Sequence, residues 1–237
     1  MFFDPLYLII MAPALIFMIY AQFKVNSTYK KFSKVYNQRG ITGAQAARQL
    51  LNNNGLGNVP IETVAGKLTD HYDPTKKVLR LSPDVANTPS VAGIGIAAHE
   101  VGHAVQHQTK YGFMGIRSAL VPAANVGSTL GWILIILGVI LMGLSQAFAE
   151  FGTLIATVGI LLFAAAVLFT LVTLPVEFNA SNRARQMIKD TGLLVGQEYD
   201  GASAVLSAAA LTYIAAMLQA VAQLLYFVLM IFGGRRN

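Results

Sequence analysis

Two histidines and a glutamate, in the run His99-Glu100-Val101-Gly102-His103, stand in an alanine-rich stretch without proline. Residues four apart on a helix share one face, one turn apart. The imidazoles of His99 and His103 can therefore converge on one Zn²⁺ at roughly 2.0–2.1 Å. Glu100 stands beside the first of them, placed to take a proton from a water that the metal polarises. That is the chemistry of zinc-assisted hydrolysis. Three of the four histidines fall within the nine residues 99–107, a clustering that a polar helix face with stray histidines does not call for. The chain has no cysteine, which removes thiolate ligands, disulfides and a cysteine nucleophile together. A metal here must be held by His, Asp or Glu, which suits a catalytic zinc better than a structural one.

A catalytic zinc takes three protein ligands and keeps a fourth position for water. His107 is the nearest third candidate and fails on distance. It lies eight residues from His99, about 12 Å along a helix axis, whereas nitrogens on one tetrahedral zinc sit about 3.5 Å apart. His71 stands alone in a turn-like His-Tyr-Asp-Pro context. Glu177 is the better candidate, at the point where a long apolar run ends. A carboxylate at a membrane boundary is costly unless it is paired or functional. The competing reading is an acid at the start of a new helix, with Pro175 in its first turn and the helix dipole stabilising the charge.

Those residues must be carried by a chain that is 55% apolar and only 12% charged, against about 25% charged in ordinary soluble domains. This composition predicts a mainly α-helical integral membrane protein. Residues 6–23 form a charge-free run just long enough to span roughly 30 Å of hydrocarbon. Its lysines follow it instead of preceding it, so an uncleaved anchor is expected in place of a signal peptide. Residues 120–144 and 152–174 read as a tight antiparallel membrane hairpin. Residues 202–234 read as one long helix or two, with a membrane-embedded end. The expected organisation is an anchor (1–23), a first catalytic segment with the histidine helix (24–117), the hairpin (118–174), a second catalytic segment with the third ligand (175–201) and a C-terminal helical region (202–237), giving three to four transmembrane helices. In the first catalytic segment Thr42 caps a helix from Gly43 to about Asn53, Ser90 caps the histidine helix, and residues 59–64 and 77–82 have the character of short strands.

Twelve of the 17 Lys and Arg residues lie in 24–117, and Arg183, Arg185 and Lys189 lie in the second polar segment. The hairpin tip carries only Glu150. The positive-inside tendency therefore places both polar segments in the cytoplasm, with the N-terminus and the hairpin tip outside. Arg235 and Arg236 run against this scheme if the last region crosses fully. The net charge of +6 is spread by topology, with no basic stripe interleaved with aromatics, so nucleic acid is not an expected partner.

The pairing of His99-Glu100-x-x-His103 with Glu177-x-x-Ala180-Ser181 resembles the membrane metallopeptidases related to HtpX and the CAAX prenyl proteases. The whole arrangement is similar to the smaller YugP-type bacterial neutral zinc metallopeptidases, over nearly the full chain. The resemblance implies a thermolysin-like (gluzincin) core, one Zn²⁺ per chain on His99, His103 and Glu177, and Glu100 as general base. It also implies a substrate edge strand upstream of the histidine helix, for which residues 77–82 are the candidate. The chain departs from the wider group at Ser181, where Asp orients a zinc histidine: a serine can hydrogen-bond but lacks the charge that raises imidazole basicity. Tyr72, Tyr199, Tyr213, Arg183 and Arg185 are the candidates for stabilising an oxyanion.

The expected activity is that of a multi-pass cell-membrane endopeptidase. Its partners are the lipid bilayer and a peptide or protein substrate within or near the membrane. A zinc-binding but inactive scaffold, and a protease for a lipid-modified substrate, are the alternatives. A transporter is disfavoured, because between Leu120 and Leu174 the one ionisable residue is Glu150. No pattern in the sequence sets an oligomeric state.

Overall fold

A computed structural model describes residues 4–233, which leaves Arg235 and Arg236, and with them the expectation about terminal arginines, outside the described residues. The elements run α1 (Pro5–Phe32), α2 (Gly43–Asn53), β1 (Ile61–Thr63), β2 (His71–Asp73), β3 (Val78–Leu81), α3 (Pro83–Asn87), α4 (Val91–Gln108), α5 (Gly112–Leu144), α6 (Gln146–Thr191) and α7 (Gln197–Phe232). The chain is thus mainly helical with one small sheet. It divides into two compact units, with α1, α5, α6 and α7 each supplying residues to both.

One unit takes the chain up to Tyr20, then Gly115–Leu174, then everything from Tyr213 onward. Four helices, α1, α5, α6 and α7, are long and apolar enough to cross a membrane. Their outward faces keep large apolar side chains in the open, Ile9, Ile16, Ile140 and Leu161 among them. In water such a surface would be unfavourable; in hydrocarbon it costs nothing. Only Ser145 separates α5 from α6. The two helices touch through glycines: a Cβ on Gly131 would meet the Gly159 carbonyl at 2.9 Å, and one on Gly138 would meet the Gly152 carbonyl at 2.5 Å. The pairing runs antiparallel, as the hairpin reading expects. Inside the unit, Ile135, Phe163, Tyr226 and Phe227 form a buried cluster.

The other unit comprises Ala21–Met114 and Pro175–Thr212. Its centre is α4, buried on nearly every face. Ser90 caps this helix by accepting from the Gly93 N–H. Thr42 and Gln45 close a capping box on α2, whose Leu50 and Leu51 pack into the same core as α4. α6 contributes the stripe Val176, Ala180, Ala184 and Ile188, each at most 1% exposed and spaced at four, the period that lays one helix face on a core.

Three expectations need correction. Pro175 does not open a new helix; it lies inside α6, which runs 46 residues from Gln146 to Thr191. A proline in a helix interior forfeits one hydrogen bond, and here the buried stripe that follows it holds the helix through that gap. Glu177 is therefore not a helix-start acid. The strand at 77–82 is present as β3 but is not an edge. The sheet order is β1-β3-β2, with β1 parallel and β2 antiparallel to β3, so β3 is paired on both sides. The missing partner is β2, read from sequence as a turn around His71. Of the two alternatives left open for 202–234, one helix or two, the described residues show one: α7 runs unbroken to Phe232.

Candidate metal centre

All the residues of this site belong to the second unit. α4 brings His99 and His103 to one face, their rings edge-to-face with centroids 4.7 Å apart. α6 brings Glu177 against them. Glu177 Oε2 lies 3.2 Å from His99 Nε2 and 3.4 Å from His103 Nε2. Each of the three residues offers one donor atom, and all three atoms lie within 4.8 Å of one another. Among the described residues this is the one group of His and acidic side chains so converged. Two imidazole nitrogens and one carboxylate oxygen, buried and with no thiolate, form the donor set of a catalytic zinc. The residues fit that metal.

What brings α6 so near is Gly102, the second variable position of the motif. An ideal Cβ there would lie 2.6 Å from the Ala180 carbonyl oxygen. With hydrogen in its place, the backbone of α6 closes on α4 and Glu177 reaches the histidines. The 46 residues of α6 would extend about 69 Å, more than twice the hydrocarbon thickness. The segment after Pro175, with Glu177, Arg183, Arg185 and Lys189, lies beyond the apolar part.

Both histidines are held at the nitrogen turned away from Glu177. His99 Nδ1 lies 3.1 Å from Ser181 Oγ, so this histidine is held by an uncharged hydroxyl. His103 Nδ1 lies 2.9 Å from Gln106 Oε1. Burial alone would push His103 down; the facing Glu177 and the nearby Glu100 outweigh it and raise the imidazole above its ordinary value. For Glu177 burial acts upward, and the hydrogen bonds from His103 and His99 reverse it, holding the carboxyl well below the usual carboxylate range.

Glu100 is 8% exposed and one oxygen is taken: Oε2 accepts the backbone N–H of Tyr72 at 3.0 Å. Since that N–H points away from β3, the outer edge of β2 faces Glu100. The Tyr72 hydroxyl pairs with His107 Nδ1 at 2.9 Å. His107 is thus outside the donor group, as the helix geometry required, and has a partner of its own.

The remaining sequence candidates fall elsewhere. His71 lies in β2 and pairs through Nδ1 with the Thr69 carbonyl. Arg183 donates to Asn179 Oδ1, and Arg185 to Ser203 and Ser207. Tyr199 packs on the core, and Tyr213 belongs to the other unit. Of the oxyanion candidates, Tyr72 is the one in contact with a residue of the motif. Sequence reading missed Gln106 and Asn179. Gln106 sits at i+3 from His103, the spacing that puts two side chains in reach on one helix face, and that spacing was the available signal.

Residues 7–232 match the family described as "Putative neutral zinc metallopeptidase". The chain is 46% identical over 230 residues to a Bacillus subtilis (strain 168) protein named "Putative membrane protease YugP", covering 97% of this chain and 98% of that one. No solved structure matches.

Proposed function

The chain belongs to this neutral zinc metallopeptidase family, and from that premise we propose that it is a membrane-embedded zinc endopeptidase, with His99, His103 and Glu177 holding one metal ion and Glu100 acting as general base. The observation that carries the reading is the convergence of three donor atoms within 4.8 Å on a helix that also presents Glu100. When bound, zinc supplies Lewis acidity and lowers the pKa of a coordinated water toward about 7. Glu100 takes the proton from the attacking water and delivers it to the leaving amine nitrogen as the peptide bond breaks. The Tyr72 N–H on Oε2 turns the carboxylate and leaves its second oxygen for that proton. The fold is a thermolysin-like core in reduced form, a three-stranded sheet beside the histidine helix.

Because β3 is interior, the edges of the sheet are β1 and β2, and β2 is the one that touches Glu100 and is the candidate to take an extended peptide. Its outer edge lies beside Glu100 and would bind main chain, with little demand on side-chain sequence. Four membrane-length helices confine the enzyme to the bilayer, so its substrates are membrane proteins or segments near the surface. The lysines and arginines of 24–117 and 175–201 put the catalytic segments on the cytoplasmic side and the N-terminus outside.

Purified wild-type protein is expected to contain zinc and to cleave casein or itself, with cleavage abolished by a chelator and restored by zinc. Glu100→Gln should keep the metal and lose at least about 10²-fold in kcat/KM. A wild type that binds zinc yet cleaves no peptide would favour the inactive scaffold and overturn the peptidase reading.

A further inference from the structure

Gln106 is 0% exposed, the most deeply buried polar side chain around the site. Its amide is used at both ends. Nε2 donates to the Val176 carbonyl at 2.7 Å and to Asn179 Oδ1 at 3.0 Å, and Oε1 faces His103 Nδ1 at 2.9 Å. The orientation of the amide is determined by chemistry. A backbone carbonyl only accepts, so the nitrogen must face Val176, and Oε1 is left for His103. An amide oxygen also only accepts, so His103 must carry its proton on Nδ1. It is then Nε2, the atom turned toward Glu177, that gives up its proton and offers its lone pair when a metal binds. Ser181 cannot impose the same choice on His99, because a hydroxyl both donates and accepts. Val176 and Asn179 flank Glu177 on α6, so the same amide also sets the turn that carries the third donor against the helix that carries the first two.

We propose that Gln106 is a positioning residue of the metal centre, fixing the tautomer of His103 and the register of Glu177 through one buried amide. The proposal rests on the metal-site reading above. Its role is distinct from packing: a methionine at 106 fills the same space and does neither job, while a glutamate keeps the acceptor for His103 and loses the donors to α6.

The test uses full-length protein in a Glu100→Gln background, which prevents self-cleavage. Zinc affinity is measured by chelator competition, the visible absorption bands of the cobalt(II)-substituted protein are recorded, and thermal melting is followed alongside. Gln106→Met is expected to weaken zinc binding about 10–100-fold, the range seen for partners of metal-bound histidines, and to change the cobalt bands. Gln106→Glu, which keeps the acceptor for His103 but not the donors to α6, should bind zinc more tightly than Gln106→Met and more weakly than the background protein. If Gln106→Met does not fold, Asn179→Ala, which loosens the amide without removing it, should weaken zinc by about threefold. Undiminished affinity in the folded Gln106 or Asn179 variant overturns the proposal. So does a Glu variant as weak as the Met variant, which would leave the acceptor facing His103 without effect on the metal. A background protein that binds no zinc overturns the metal-site reading itself, and the two failures are thereby told apart.

Discussion

A methyl group at position 102 would be aimed at the Ala180 carbonyl oxygen, 2.6 Å from where its carbon would sit. The obstacle is backbone, so no side chain can swing aside. Gly102→Ala must therefore part α4 from α6 by more than the roughly 0.5 Å within which a metal site keeps its geometry. We expect zinc affinity to fall at least about tenfold and stability to fall by about 1–3 kcal/mol, the range for overpacking. Chelator competition and thermal melting would check both; full affinity would mean that α6 is free to give way. His99, Glu100 and His103 were legible in the sequence because helix periodicity is local and needs no knowledge of the fold. Glu177 was expected from topology, beyond a hairpin read from the apolar runs, and the structure brings its Oε2 to 3.2 Å from His99 Nε2. Gln106 was not, because its meaning lies in Val176 and Asn179, about seventy residues away.

β2 shows why short elements escape sequence reading. Three residues carry too few positions for alternation to register, and the Asp-Pro that follows reads as a turn. Only pairing with β3 reveals the strand, and that pairing displaces β3 from the edge it was expected to form. Tyr72 holds β2 on α4 twice, by its N–H to Glu100 and its hydroxyl to His107. Burial pushes the phenol up, so it stays protonated. Tyr72→Phe removes the second tie and keeps the first. We expect a loss of about 0.5–1.5 kcal/mol, seen as a small drop in melting temperature, with kcat/KM falling and zinc content unchanged. A loss of zinc would instead tie β2 to the metal donors. α6 teaches the complementary lesson. Pro175 is a strong local signal for a helix boundary, and the buried stripe of Val176, Ala180, Ala184 and Ile188 overrode it.

Across the whole molecule, the membrane helices were plain from apolar run lengths, while their mutual packing was not. In lipid the hydrophobic effect does not draw one apolar helix to another; close backbone approach does. Gly138→Leu would place a side chain where the Gly152 carbonyl stands, and we expect the purified protein to melt several degrees lower in detergent. The absence of cysteine makes sidedness directly measurable, since any introduced thiol is the sole target. A cysteine at Lys76 should react with a membrane-impermeant reagent only after the cells are opened. A cysteine at Ser145 should react in intact cells, and the reverse pattern would invert the proposed topology. The donors are also divided in time. His103 leaves the ribosome ahead of Glu177, with the glycine-seamed hairpin between them. At about 5–20 residues per second, those intervening residues take roughly 4–15 s to make. During that interval the nascent chain holds His99, Glu100 and His103 without Glu177. On the proposed reading, the ribosome and translocon meet only an incomplete metal centre until the hairpin has been synthesised.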